Sequence, residues 1–229
     1  MWEELFVRLI DYWPKLWKSM QETGIMMIFA SLAATTLGLP AGTLLFLTSK
    51  GQRLGQGRWN KIVHWIINLF VNIVRSFPFL LLVVAMQPVI RTIYGRATGD
   101  PVAASFPMML ISIALYARFV EQSLHDVPKG VLELADALGA NLWQLVTQFL
   151  FVEARSSLII GFTTAFVSFL SYSTIMGVVG GGGIGNFAIR YGYQRYETDI
   201  MYFAIIFIIL MVQGFQWLGL KIARKLDKR

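Results

Sequence analysis

Apolar residues fill this chain in runs of membrane length, and polar residues gather between the runs. Ile25 to Ser49 contains no charged side chain and is long enough to cross a hydrocarbon core of about 30 Å. Ile62 to Ile90 is apolar apart from His64, Arg75 and a few amides. That run exceeds one crossing, and Pro78 and Pro88 are placed to bend or break it. Pro101 to Ala117, Ser156 to Gly177 and Ile200 to Leu220 complete five candidate spans. The pattern predicts an all-α polytopic membrane protein. Ahead of the spans, residues 1–22 interleave Trp2, Phe6, Leu9, Trp13, Leu16 and Trp17 with charges, which suits a helix lying along the interface.

One helix-forming stretch of mixed polarity interrupts this pattern, between Gly130 and Ala154. Leu134, Leu138, Leu142, Leu145 and Phe149 recur at steps of four, four, three and four, which places them on one helical face. Glu133, Asp136, Gln144 and Thr147 fall elsewhere on the wheel. Gly139 and Asn141 interrupt the run where two short helices would meet at an angle. A connecting helix and a surface for a partner both fit this pattern.

Composition narrows the class. Hydrophobic residues make up 56% of the 229 positions, which excludes an ordinary soluble domain. The chain has room for four to six spans and none for a separate ATPase domain. The formal charge of +7 comes without a basic patch interleaved with aromatics, so it sets topology and touches anionic headgroups rather than nucleic acid. No cysteine is present, which removes disulfides and thiol chemistry. The start, Met1-Trp2-Glu3-Glu4, lacks the short apolar core and small-residue site of a cleaved signal peptide.

Charge asymmetry chooses an orientation. With the C-terminus inside, cytoplasmic segments hold Lys50, Arg53, Arg58, Lys61, Arg118, Lys129, Arg155, Lys221, Arg224, Lys225, Lys228 and Arg229. The outer segments hold only Arg8, Lys15, Lys18, Arg91, Arg96, Arg190 and Arg195. The bias predicts an N-terminus outside and a C-terminus inside, with the Glu133 stretch on the cytoplasmic side.

Several residue patterns invite chemical readings. Gly180, Gly182 and Gly185 satisfy a dinucleotide-binding spacing, but no strand precedes them and no Lys-Ser or Lys-Thr follows. Gly180, Gly181, Gly182, Gly183 and Gly185 are expected instead to form a flexible linker at the outer end of the fourth span. A part in closing a pathway there is the alternative. Arg75 lies deep in apolar sequence, where a charge costs about 2.5–3.5 kcal/mol unless it meets protein, water or a headgroup. With Ser76, Pro78, Ser168, Ser171, Tyr172 and Met176 it is a candidate for lining a path, although Ser and Thr also close-pack helices in lipid. His64 and His125 have no ligand-like companions, so no metal site is expected, and no Ser-His-Asp arrangement supports a hydrolase. The five spans hold no Asp or Glu, which argues against a proton- or sodium-coupled carrier.

The Glu133 stretch resembles the cytoplasmic signature of ABC importer permeases. Glu133-Leu134-Ala135 stands for that signature's Glu-Ala-Ala triplet and Gly139 for its glycine. Leu replaces the central Ala, and Phe151-Val152 stands where the family carries Leu-Pro. The resemblance runs from about Thr23 to the C-terminus through Gly38-Leu39-Pro40-Ala41-Gly42, Arg75-Ser76-Phe77-Pro78-Phe79, the glycine run and Tyr191-Gly192-Tyr193. It is nearest to methionine-uptake permeases. It implies a type I ABC importer permease fold over residues 23–222, a coupling segment over about 123–154, and a basic cytoplasmic tail at 223–229. By the same resemblance, Glu133, Leu134, Ala135, Leu138, Gly139 and Leu142 would dock a partner ATPase. The implied partners are a second permease copy, two cytoplasmic ATPase subunits that carry ATP and Mg, and an extracytoplasmic binding protein, in a bacterial inner membrane. This chain itself would bind no cofactor and perform no catalysis. Methionine, in either enantiomer, is the implied solute. Another amino acid or small solute, an ATP-independent carrier and a non-transporting scaffold are the alternatives.

Overall fold

The computed structural model describes residues 2–227, without the side chains of residues 2–7 and 9. Met1, Lys228 and Arg229 therefore lie outside the described residues, as do the side chains of Trp2, Phe6 and Leu9. All regular structure among the described residues is helical.

The chain opens with α1 (Trp2–Ala33), passes through a π-helical turn at Ala34–Gly38 and continues as α2 (Leu39–Thr48). No break falls near residue 22, so the expected interfacial helix and first span are one helical rod. The apolar portion alone, Ile10–Thr48, is 39 residues, about 58 Å at 1.5 Å per residue and well beyond a hydrocarbon core. Gly24 does not interrupt it, because a lone glycine costs only about 1 kcal/mol inside a helix. The next apolar run divides into α3 (Arg58–Ser76) and α4 (Phe79–Tyr94). Pro78 causes the division: its missing N–H suits the N-cap of α4, and its ψ of 124° is extended. Pro88, by contrast, is carried inside α4.

α5 (Pro101–His125) outlasts the expected third span by eight residues, from Arg118 to His125. Then come α6 (Lys129–Ala137), α7 (Leu142–Gln144), a π-helical turn at Leu145–Leu150 and α8 (Phe151–Glu153). The chain closes with α9 (Arg155–Val178), α10 (Gly183–Phe187), a third π-helical turn at Ala188–Tyr193, and α11 (Thr198–Leu226). Among the described residues four helices can cross a membrane by length and composition, and five elements can if α3 and α4 form one broken span.

The chain forms two compact units. One comprises Met1–Leu32, Phe77–Ile111 and Phe166–Gly214; the other comprises Ala33–Ser76, Ser112–Ala165 and Phe215–Arg229. The first holds a cluster of Tyr12, Leu16, Phe187, Ile200 and Ala204, all buried, and a second of Ile90, Ala97 and Ala103. The other packs on small residues. Gly38 and Gly42, four apart in sequence, face α5, where an added Cβ would lie 3.0 Å from the Ile113 carbonyl oxygen or 2.7 Å from Val120 Cβ. Between lipid-soluble helices there is little hydrophobic gain, so close backbone approach of this kind is what holds them.

Candidate functional site

The Glu133 stretch folds as two short helices joined by an elbow whose every bond is readable from sequence. α6 ends with Gly139 in the left-handed region at φ 68°. The Gly139 N–H donates to Asp136 O and the Ala140 N–H to Ala135 O, each at 3.0 Å, the paired bonds of a Schellman end. Asn141 then caps α7: its Oδ1 accepts from the Gln144 N–H while Gln144 Oε1 accepts from the Asn141 N–H, both at 2.9 Å. Two caps separated by one residue fix the angle of the elbow, each contributing on the order of 1 kcal/mol.

The elbow reorganises the apolar stripe. Leu134, Leu138, Leu142 and Trp143 are exposed, at 54, 67, 39 and 75%, whereas Leu145 and Ala135 are buried. The expectation of one face from Leu134 to Phe149 therefore fails, because the left-handed Gly139 and extended Asn141 reset the helical phase between Leu138 and Leu142. Ala135, expected among the docking residues, has no surface to offer and serves packing. Trp143 was not anticipated, although its place one residue beyond Leu142 could have drawn notice. Asp136 faces Arg53 at 3.8 Å across a cavity of about 390 Å3, an exposed pair that contributes little.

In the same unit, polar side chains converge beside Arg75. Asn60, His64, Asn68 and Asn72 recur every four residues along α3 and so share one face. Arg118 of α5 answers that face: one terminal nitrogen donates to Glu121 Oε2, the other to Asn68 Oδ1 and, at 2.7 Å, to Asn72 Oδ1. Farther along, Thr48 Oγ1 lies 3.1 Å from His64 Nδ1. Arg75, Arg118, Glu121, Gln122 and His125 line a cavity of about 360 Å3. Sequence reading missed this cluster because it ended the third span at Ala117. The helices reach beyond the expected spans and bring in acids: Glu121 lies within α5, and Asp11, Glu22 and Asp199 lie within the long apolar helices. The four-residue recurrence of amides and His64 was the available signal.

Ser76, in the same unit as Arg75, donates its hydroxyl to Asn72 O at 2.7 Å; the remaining expected path residues lie in the first unit. Pro78 is exposed at the N-cap of α4, and Ser171 is exposed. Tyr172 stacks on Phe79 with ring centroids 4.5 Å apart. The hydroxyls of Ser171 and Thr174 are used by their own helix, on Val167 O and Ser171 O, so they line a surface without offering a free donor. Met176 is 2% exposed and cannot line a path. Its carbonyl instead accepts from the Gly181 N–H at 2.8 Å.

The glycine run is an ordered corner rather than a flexible linker. Gly180, Gly182 and Gly183 have φ of 82°, 82° and 86°. Gly180 and Gly181 close α9 by donating to Gly177 O and Met176 O, another Schellman end. Gly183 and Gly185 belong to α10 and are buried. A Cβ on Gly185 would collide with the Thr174 backbone, its Cα 2.5 Å away. Side chains of α1 cap α10: the Gly183 N–H donates to Glu22 Oε2 at 2.8 Å and the Ile184 N–H to Thr23 Oγ1 at 2.9 Å. A cavity of about 560 Å3 beside this corner is lined by Lys15, Lys18, Glu22, Gly180 and Arg190.

Residues 38–228 match the family described as binding-protein-dependent transport system inner membrane component. The chain belongs to that family. It is a transport permease. This permease is 38% identical to the probable D-methionine transport system permease protein MetI of Pasteurella multocida, over 94% of its own length and 99% of the relative's. It is 37% identical to the methionine import system permease protein MetP of Bacillus subtilis, covering 94% and 95%. Its fold superposes with a TM-score of 0.86 on an inward-facing structure of the MetNI methionine ABC transporter, at 32% identity over 93% of this chain and 96% of that one. An amino acid ABC transporter crystallised with histidines shares the fold with a TM-score of 0.77 at 18% identity.

Proposed function

We propose that this permease forms the membrane pathway of an ATP-driven methionine importer. Two copies would build the pathway, two cytoplasmic ATPase subunits would bind beneath, and an extracytoplasmic protein would deliver the solute. The names of its relatives support the solute, the MetNI complex supports the second copy and the ATPase, and the family's description supports a binding protein. The observation that carries the reading is the elbow between α6 and α7. Leu134, Leu138, Leu142 and Trp143 stand exposed on a segment whose backbone is locked by caps at both sides. Rigid apolar knobs suit the groove of a partner that must push them, since a soft loop would absorb the motion. Glu133, Leu134, Leu138, Gly139 and Leu142, joined by Trp143, form the docking set.

The charge bias supports an N-terminus outside and this elbow in the cytoplasm. On that orientation the corner at Gly180–Gly185 closes the outer end, while Arg75, Ser76, Pro78, Ser168, Ser171 and Tyr172 contribute to the path. ATP and Mg would reside on the ATPase, so the energy arrives mechanically as a switch between two states of the complex. The test is to purify the chain with its native partners, reconstitute it and measure uptake of labelled amino acids. ATP-dependent accumulation led by methionine is expected; uptake without ATP, or of a different solute, would overturn the reading.

A further inference from the structure

The polar cluster between α3 and α5 has an imbalance of charge. Its cavity is lined by two guanidinium groups, Arg75 and Arg118, and one carboxylate, Glu121. Arg118 has partners on both terminal nitrogens: it donates to Glu121, Asn68 and Asn72. Arg75 has no hydrogen-bond or ion-pair partner among the described residues. It sits one residue from the end of an apolar helix that is one half of a broken membrane-spanning pair. Arg75 is exposed, so its guanidinium is open to an incoming anion, and a planar fork prefers a carboxylate or phosphate.

We propose that this cavity is a binding site for an α-amino acid zwitterion, with Arg75 taking the carboxylate and Glu121 the ammonium group. Three features favour a zwitterion. Glu121 gives only Oε2 to Arg118, which leaves Oε1 for a cationic group. The cavity, about 360 Å3, falls at the small end of ligand sites, as a single amino acid requires. Leu115 and Phe119 supply an apolar part of the wall, beside Gln122 and His125, which suits an uncharged side chain. Arg118 is a positioning residue: held by the two amides of α3, it orients Glu121. The assignment rests on the transport reading and extends it by placing a solute contact within the permease itself.

The test compares equilibrium binding of labelled L-methionine to the purified permease–ATPase complex in nanodiscs of net-neutral phosphatidylcholine, for wild type, Arg75→Gln and Arg75→Lys. Arg75 holds no other described side chain, so all three are expected to fold and to assemble with the ATPase, which size-exclusion of the complex checks. Wild type should show a binding event that Arg75→Gln weakens about tenfold or more and Arg75→Lys weakens less. Methioninamide, which lacks the carboxylate, should fail to compete for it. Glu121→Gln should also weaken it, as a second and independent reading of the same site. Equal binding by wild type and Arg75→Gln would overturn the proposal, as would full competition by the amide. An Arg75 effect that appears only when anionic phosphatidylglycerol is added would overturn it too, assigning Arg75 to a lipid phosphate. ATP-driven methionine uptake by the same wild-type preparation separates the outcomes. If uptake is present while the binding event is missing, only this site fails. If uptake is absent, the transport reading itself fails.

Discussion

Glu22 accepts a hydrogen bond through Oε2 from the backbone N–H of Gly183, 161 positions away, at 2.8 Å. The adjacent Thr23 does the same for Ile184. Two consecutive residues of the first helix thus supply the N-terminal caps of α10, whose preceding residues are glycines and offer no side chain of their own. A carboxylate also suits the positive end of a helix. The first helix is thereby tied to the corner that follows α9.

Removing this cap should loosen the corner. Glu22→Ala is expected to cost about 1–2 kcal/mol locally, so the amides of Gly183 and Ile184 should exchange with solvent roughly tenfold faster or more. Hydrogen–deuterium exchange on the solubilised protein reads this directly. Unchanged protection over residues 180–186 would show that the cap contributes nothing.

Glycine positions should separate into tolerant and intolerant sites according to what a Cβ meets. At Gly139 a Cβ finds nothing within 4 Å, so Gly139→Ala should cost only the left-handed strain of about 1–2 kcal/mol. Gly185→Ala drives a Cβ into the Thr174 backbone and should cost several times more. Thermal unfolding of the two variants checks the order, and a Gly139→Ala that melts lower than Gly185→Ala would contradict it. Gly182→Ala should be poorly tolerated as well as Gly182→Val, because φ 82° with ψ −163° is open only to glycine and Glu22 Oε2 stands 2.5 Å from the new carbon.

Leu138→Asp should leave the fold intact, since Leu138 is 67% exposed, yet abolish ATP-driven uptake by placing an unpaired charge in the partner's groove. Ala135→Asp, at a position with 0% exposure, should instead destabilise the protein before any partner is involved, by about 3 kcal/mol or more. Assembly with the ATPase, measured against the amount of folded permease, distinguishes the two. Normal uptake by Leu138→Asp would remove the elbow from the coupling pathway.

Orientation can be read chemically because the chain has no native cysteine. Thr98→Cys and Gln56→Cys are both at exposed positions. An impermeant thiol reagent added outside intact cells should label the first and spare the second. The opposite pattern would invert the orientation and move the elbow away from any cytoplasmic ATPase.

Much of this architecture is legible in the sequence. Run length follows from the cost of placing polar groups in hydrocarbon, a property each segment carries alone. The ends of α6 and α7 were equally local: Gly139 and Asn141 marked the elbow because left-handed backbone and side-chain capping are decided within a few residues. The division of Ile62 to Ile90 followed from the missing N–H of Pro78.

Other features depended on partners distant in sequence. Nothing near Glu22 says that it will cap Gly183, and nothing near Gly185 says that Thr174 will press against it. Asn68 and Asn72 looked like scattered amides until α5 brought Arg118 between them. The glycine run looked flexible because glycine permits many backbones, and only the neighbours of α1 and α9 select one. Local sequence determined where helices form, turn and cross, because those energies are short-ranged. The tertiary structure decided which polar groups meet and which glycines are indispensable, because contacts between remote segments exist only once the chain has packed.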